Sequence, residues 1–94
     1  MTDMVLERDF DPPLTPAEVI GMGQESGECF NLHKVEWHQS FLATGGRRLL
    51  CWFSGPDAES IRIALRQADV GPHELWRATI HDAADPEAPE WPLA

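Results

Sequence analysis

The alternation of large apolar and polar side chains is most regular between residues 34 and 54. Val35, Trp37, Gln39, Phe41 and Ala43 interleave with Glu36, His38, Ser40 and Leu42, the period of two that sends successive side chains to opposite faces of a strand. Thr44-Gly45-Gly46 then offers a turn with freedom at positive φ, and residues 49–53 resume as a second strand rich in large side chains. The stretch reads as a β-hairpin. A three-residue turn over 44–46 sets Ala43 against Arg47, Phe41 opposite Leu49, Gln39 opposite Cys51 and Trp37 opposite Phe53. A loop of two or four residues would shift that register by one and remove the Gln39–Cys51 pair.

The same reading places the other elements. Val5, Glu7 and Asp9 lie on one side of a short strand over 5–10, with Leu6, Arg8 and Phe10 on the other, and Asp11-Pro12-Pro13 ends it because proline cannot donate to a ladder. Thr15-Pro16-Ala17-Glu18 starts a helix: Thr15 caps, Pro16 fits the first helical position and Glu18 closes a capping box. Val19, Met22, Ser26 and Cys29 or Phe30 mark one helix face. Gly21, Gly23 and Gly27 weaken the helix by up to about 1 kcal/mol each relative to Ala, but also permit close approach to a sheet. Beyond Gly55-Pro56, Asp57 caps a second helix that runs to about Gln67, with Ile61, Ala64, Leu65 and Ala68 as its inner stripe and Arg62 and Arg66 outside. Gly71-Pro72 precedes a last strand over 75–81, where Trp76, Ala78 and Ile80 alternate with Leu75, Arg77, Thr79 and His81. The order β-α-β-β-α-β predicts an α+β, ferredoxin-like sandwich over 1–82, a four-stranded antiparallel sheet with both helices on one side. Its other face is then bare in a monomer, and stacking two such faces would give a dimeric α/β-barrel assembly with an internal cleft. From Ala83 the chain turns to Ala, Asp, Pro and Glu, the composition of a flexible acidic tail over 83–94, from which Trp91 and Leu93 are available to dock.

Composition sharpens this picture in three ways. Ninety-four residues make one domain, and four tryptophans with four phenylalanines are many for that length. Trp37, Phe41 and Phe53 share the proposed hairpin face, so that face is expected to meet helices or a second subunit rather than water. The formal charge of −9, with no basic run, argues against nucleic acid and anionic membrane as partners and favours cations only in a general way. Two cysteines without a CxxC make no disulfide framework or redox motif. The start lacks the pattern of a secretory signal and no apolar run reaches the length of a membrane span, so a cytoplasmic protein is expected.

No catalytic constellation stands out. G-x-S-x-G is absent, Gly21-Met22-Gly23 lies inside a helix rather than after a strand, and Gly45-Gly46 belongs to a hairpin turn. Asp82 and Asp85 lie in the tail, a poor place for a preorganised acid–base pair. Metal donors are sparse. Cys29 and His33 have i,i+4 spacing at a helix end, which equally describes a core thiol beside a loop imidazole. Cys51 reads either as a small buried hydrophobe or as a thiolate ligand, with Glu7 a second ligand if the first strand lies beside the third. His38 points away from the proposed Gln39–Cys51 pair.

Val5-Leu6-Glu7-Arg8-Asp9-Phe10, Val35-x-Trp37-x-x-Ser40-Phe41-Leu42, Cys51-x-Phe53-x-x-Pro56 and Glu59-Ser60-Ile61-Arg62, in that order, resemble successive signatures of the small nickel-responsive, nickel-binding ferredoxin-like proteins of the DUF4242 family. The likeness runs from about Met4 to Ile80. It implies a compact α/β homodimer and, for at least some members, nickel binding, without an established enzymatic activity. The family hairpin reads Trp-x-His-Ser-Tyr where this chain has Trp37-His38-Gln39-Ser40-Phe41, so Gln39 holds the usual histidine position. The expectation is therefore a dimeric nickel or other transition-metal binding protein, with Glu7, Cys51 and His38 as metal ligands and Trp37, Phe41 and Phe53 lining a cleft. The alternatives are a dimeric α/β-barrel enzyme or small-ligand binder that uses that aromatic cleft, and a non-catalytic interaction module.

Overall fold

The computed structural model describes residues 1–82. Strand β1 (Thr2–Asp9) begins before the alternation at Val5 and buries Met4 and Leu6. Helix α1 (Pro16–Leu32) opens on the expected box: the Glu18 N–H donates to Thr15 Oγ1 at 3.3 Å and the Thr15 N–H to the Glu18 carboxylate at 3.0 Å. Strands β2 (Glu36–Leu42) and β3 (Arg48–Gly55) form the hairpin. Helix α2 (Ala58–Gln67) is capped by the Asp57 carboxylate, which accepts the Ser60 N–H at 2.7 Å, and it buries Ala58, Ile61, Ala64 and Leu65. Arg62 and Arg66 both reach Glu59 on the solvent side, at 3.9 and 3.8 Å. Strand β4 (Glu74–Ala78) is shorter than the apolar alternation implied. Among the described residues no helix is long and apolar enough to cross a membrane, and the expected tail over 83–94 with Trp91 and Leu93 lies outside them.

The strands are ordered β2-β3-β1-β4, each antiparallel to its neighbour, which is the ferredoxin-like arrangement. Met4 and Leu6 of β1 and Leu49, Cys51 and Phe53 of β3 face the helices and meet Phe30, Ile61 and Leu65. The α/β-barrel assembly expected from the sequence is overturned: β2 and β4 end the sheet as two separate edges and the sheet stays open. Four strands are about half of what closure of a packed barrel requires.

The hairpin register also differs from the three-residue turn. The Ala43 N–H bonds the Arg48 carbonyl at 2.9 Å and Leu42 pairs with Leu49, so the connection is the four residues 44–47. Phe41 therefore faces Leu50, Ser40 faces Cys51 and Gln39 faces Trp52. A bulge at His38 then restores the Trp37–Phe53 pair. As a result Trp37, Ser40 and Leu42 point toward the helices, whereas His38, Gln39 and Phe41 point to the open face. The turn length is decided outside the hairpin. Gly46, at φ 78°, donates to the Ala43 carbonyl at 2.8 Å and its own carbonyl accepts the Leu14 N–H at 2.8 Å, which ties the loop to the segment ahead of α1.

Candidate functional site on the open face of the sheet

On the helix-covered side the aromatic residues form core rather than cleft. Phe30, Trp37 and Phe53 meet edge-on or tilted with ring centroids 5.4 to 6.1 Å apart. Phe41 is 64% exposed on the other face, so the three residues expected to line one cleft are divided by the sheet. A shallow groove of about 570 Å³ lies between α1 and the β2 edge, lined in part by Ile20, Gly23, Phe30 and Trp37 but not by Phe41 or Phe53. Cys51 lies on the covered side, only 2% exposed. Its Sγ accepts the Ser40 hydroxyl at 3.2 Å, while Ser40 Oγ accepts the Trp37 indole N–H at 2.7 Å. Burial pushes the Cys51 thiol pKa up, against smaller opposing effects of the Ser40 hydrogen bond and the Arg8 charge.

A buried thiol held protonated makes a testable difference between the two cysteines. Iodoacetamide at pH 8 should label Cys29 in the native protein and reach Cys51 only on unfolding, which peptide mass mapping with and without urea will show. The linkage follows in sign. A thiol pKa raised in the folded state contributes stability below the unfolded value of about 8.5 that is lost as pH rises through the folded pKa. Urea midpoints should therefore fall on the alkaline side, and less so for Cys51→Ala.

Glu7 occupies the open face. It pairs across the ladders with Leu50 on one side and Glu74 on the other, and its carboxylate accepts from the Arg48 guanidinium at 2.6 Å. That bond holds the Arg48 pKa above its usual value. The expected adjacency of β1 and β3 is present, but Leu6, not Glu7, pairs with Cys51. Glu7 and Cys51 are thus on opposite sides of the sheet and cannot share an ion. Cys29 and His33 are separated in role as well, since the His33 ring bonds the Gln67 side chain at 2.8 Å.

His38 is the one of the three expected ligands with an organised polar surround. Its ring stacks on Trp52 at 4.3 Å between centroids and 28° between planes. Nε2 is hydrogen-bonded to Ser54 Oγ at 2.6 Å and lies 3.8 Å from Glu36 Oε2. Trp52 is in turn fixed by its indole N–H, which donates to Asp3 Oδ1 at 3.0 Å. Asp3, Ser54 and Glu36 are direct cross-strand neighbours, so one row across β1, β3 and β2 carries the whole arrangement. Ser54 and Glu36 both lie at Nε2, which leaves no path for a serine–histidine–acid relay through opposite ring nitrogens. The sequence reading missed Asp3, Glu36, Trp52 and Ser54. The signal for Trp52 and Ser54 was the alternation Leu50, Trp52, Ser54 along β3, the complement of the helix-facing Leu49, Cys51 and Phe53.

Residues 4–77 match the family model described as nickel responsive protein SCO4226-like. The chain belongs to that family. The crystal structure of SCO4226 from Streptomyces coelicolor A3(2) superposes on this SCO4226-like protein with a TM-score of 0.70 at 15% sequence identity, covering 85% of this chain and 99% of that one. At that identity the likeness establishes the fold alone. No curated protein sequence matches the chain.

The family's name makes nickel the ion to test against the side chains of this SCO4226-like protein. Imidazole and carboxylate are donors that suit a divalent transition ion. Among the described residues, however, no group of three or more His, Cys, Asp and Glu side chains is placed to hold a metal. The described residues therefore offer the His38 imidazole, with the Glu36 carboxylate 3.8 Å from its Nε2, and no complete ligand set.

Proposed function

We propose that the protein binds nickel or a similar divalent transition metal on the open face of its sheet, as a homodimer in which each chain supplies His38 through Nδ1, with Ser54 and Glu36 orienting the ring from Nε2. The observation that carries the reading is the fixed imidazole: the ring rests on Trp52, and in the tautomer whose Nε2–H donates to Ser54, Nδ1 keeps its lone pair for an ion. Phe41, 64% exposed, and Trp76, 43% exposed, lie on the same uncovered face, and burying them against a second copy supplies an apolar contact beside the partial ligand set. Glu7 is taken by Arg48 and Cys51 by the core, so neither belongs to this site.

Calorimetric titration of tag-free, metal-stripped protein with Ni²⁺ is the test. The expected result is one ion per two chains, with affinity lowered by about tenfold or more in His38→Ala and falling with pH as protons compete for the imidazole. Glu7→Gln, whose parent carboxylate is engaged by Arg48, should bind as the parent does. Absence of binding, or binding that His38→Ala leaves intact, would refute the reading.

A further inference from the structure

Pairing outward from the turn runs Leu42 to Leu49, Phe41 to Leu50, Ser40 to Cys51 and Gln39 to Trp52. Continued without interruption, that register would set His38 opposite Phe53 beneath the helices and Trp37 opposite Ser54 on the open face. The bulge exchanges them: Trp37 pairs with Phe53, Glu36 with Ser54, and the imidazole emerges beside Ser54 and Trp52. Whatever holds the bulge therefore decides where His38 points.

On a regular strand, residues three apart project to opposite faces. Trp37 and Ser40 are three apart, yet the indole N–H reaches Ser40 Oγ at 2.7 Å, a bond that the bulged strand allows and the uninterrupted one forbids. The Ser40 hydroxyl hydrogen is already directed to Cys51 Sγ at 3.2 Å, which turns the oxygen's lone pairs toward the indole. We propose that this Trp37–Ser40–Cys51 chain of hydrogen bonds holds the bulge, and that Ser40, on the far side of the sheet from the imidazole, is a positioning residue for His38. Its consequence for metal affinity rests on the reading of His38 as the metal contact; its consequence for the side chain does not. Slipping to the uninterrupted register would strand the indole donor and bury the imidazole in an apolar layer, two penalties that the hydroxyl prevents together. The chain also gives the Trp37-His38-Gln39-Ser40 order a rationale. Gln39 faces Trp52 and shares the open face with His38, so the imidazole stays on that face although it stands one place earlier than in the family's usual pattern.

The experiment is proton NMR on the metal-free protein, reading cross-relaxation between the His38 and Trp52 rings, followed by Ni²⁺ titration of the same samples. Two variants remove the bond differently: Ser40→Ala deletes the acceptor, and Trp37→Phe keeps a ring against Phe30 and Phe53 while deleting the donor. Both should lose most of the His38–Trp52 signal and exchange the amides of residues 36–41 about tenfold faster, and Ser40→Thr should restore both readings. Nickel affinity should follow the same order. If parent protein binds no nickel but the variants still release His38, the positioning role stands and the metal reading falls. If either variant folds with the ring contact intact, or affinity drops while that contact persists, the positioning role is overturned.

Discussion

Gly46→Ala is expected to destabilise the protein by about 3 kcal/mol or more, although the site is a hairpin turn. Gly46 sits at φ 78°, where an L side chain alone costs about 1–2 kcal/mol. An added Cβ would also run into the Leu14 carbonyl oxygen, with the Leu14 N and C atoms at 3.1 and 3.2 Å. Both partners are backbone, so neither swings aside as a long side chain would. Relief requires moving the segment before α1 away from the turn and breaking the 2.8 Å bond from the Leu14 N–H to the Gly46 carbonyl. Gly45→Ala is the control: at φ 99° with open space around it, it should cost only the conformational part. Urea midpoints of the two variants measure the difference. Equal midpoints would mean that the Leu14 contact carries no stability.

That contact also explains what the sequence could and could not reveal. The Thr15–Glu18 capping box, the Asp57 cap and the Ile61, Ala64, Leu65 stripe were legible because each depends on residues within a turn or two of itself. The hairpin itself was legible from alternation around two glycines. Its register was not, because the turn is tied to Leu14, which lies outside the hairpin, and the bulge rests on the Trp37–Ser40–Cys51 bonds proposed above, which alternation does not encode. A one-residue error then propagated. The three-residue turn puts Trp37, Phe41, Phe53 and Cys51 together on the face offered to a second copy, whereas Trp37, Phe53 and Cys51 lie beneath the helices and Phe41 alone of the four is on the open face. The metal candidates suffered in the same way: placing β1 beside β3 follows from fold order, but which of Leu6 and Glu7 shares a face with Cys51 follows from strand phase. The partners of His38, namely Glu36, Trp52 and Ser54, form a site only once that phase is known.

The two phenylalanines divided by the sheet should respond to truncation in opposite ways. Phe53→Ala removes a ring that is 2% exposed and in contact distance of both Phe30 and Trp37, so about 3–5 kcal/mol is expected from lost burial and the cavity left behind. Small domains have about 5–15 kcal/mol in all, so this variant should be close to unfolding at room temperature and show a much lower urea midpoint. Phe41→Ala, at 64% exposure, should change the midpoint of the isolated chain by no more than about 0.5 kcal/mol. Had the three-residue turn held, with Phe41 opposite Leu49, both rings would lie in one apolar layer and both truncations would be severe. The contrast extends to assembly. Phe41→Ala should weaken self-association in sedimentation experiments if the open face is where two copies meet, while Phe53→Ala acts on association only through loss of the fold. A Phe41 variant as unstable as the Phe53 variant would place both on the covered side and refute the four-residue turn on which the observed register depends.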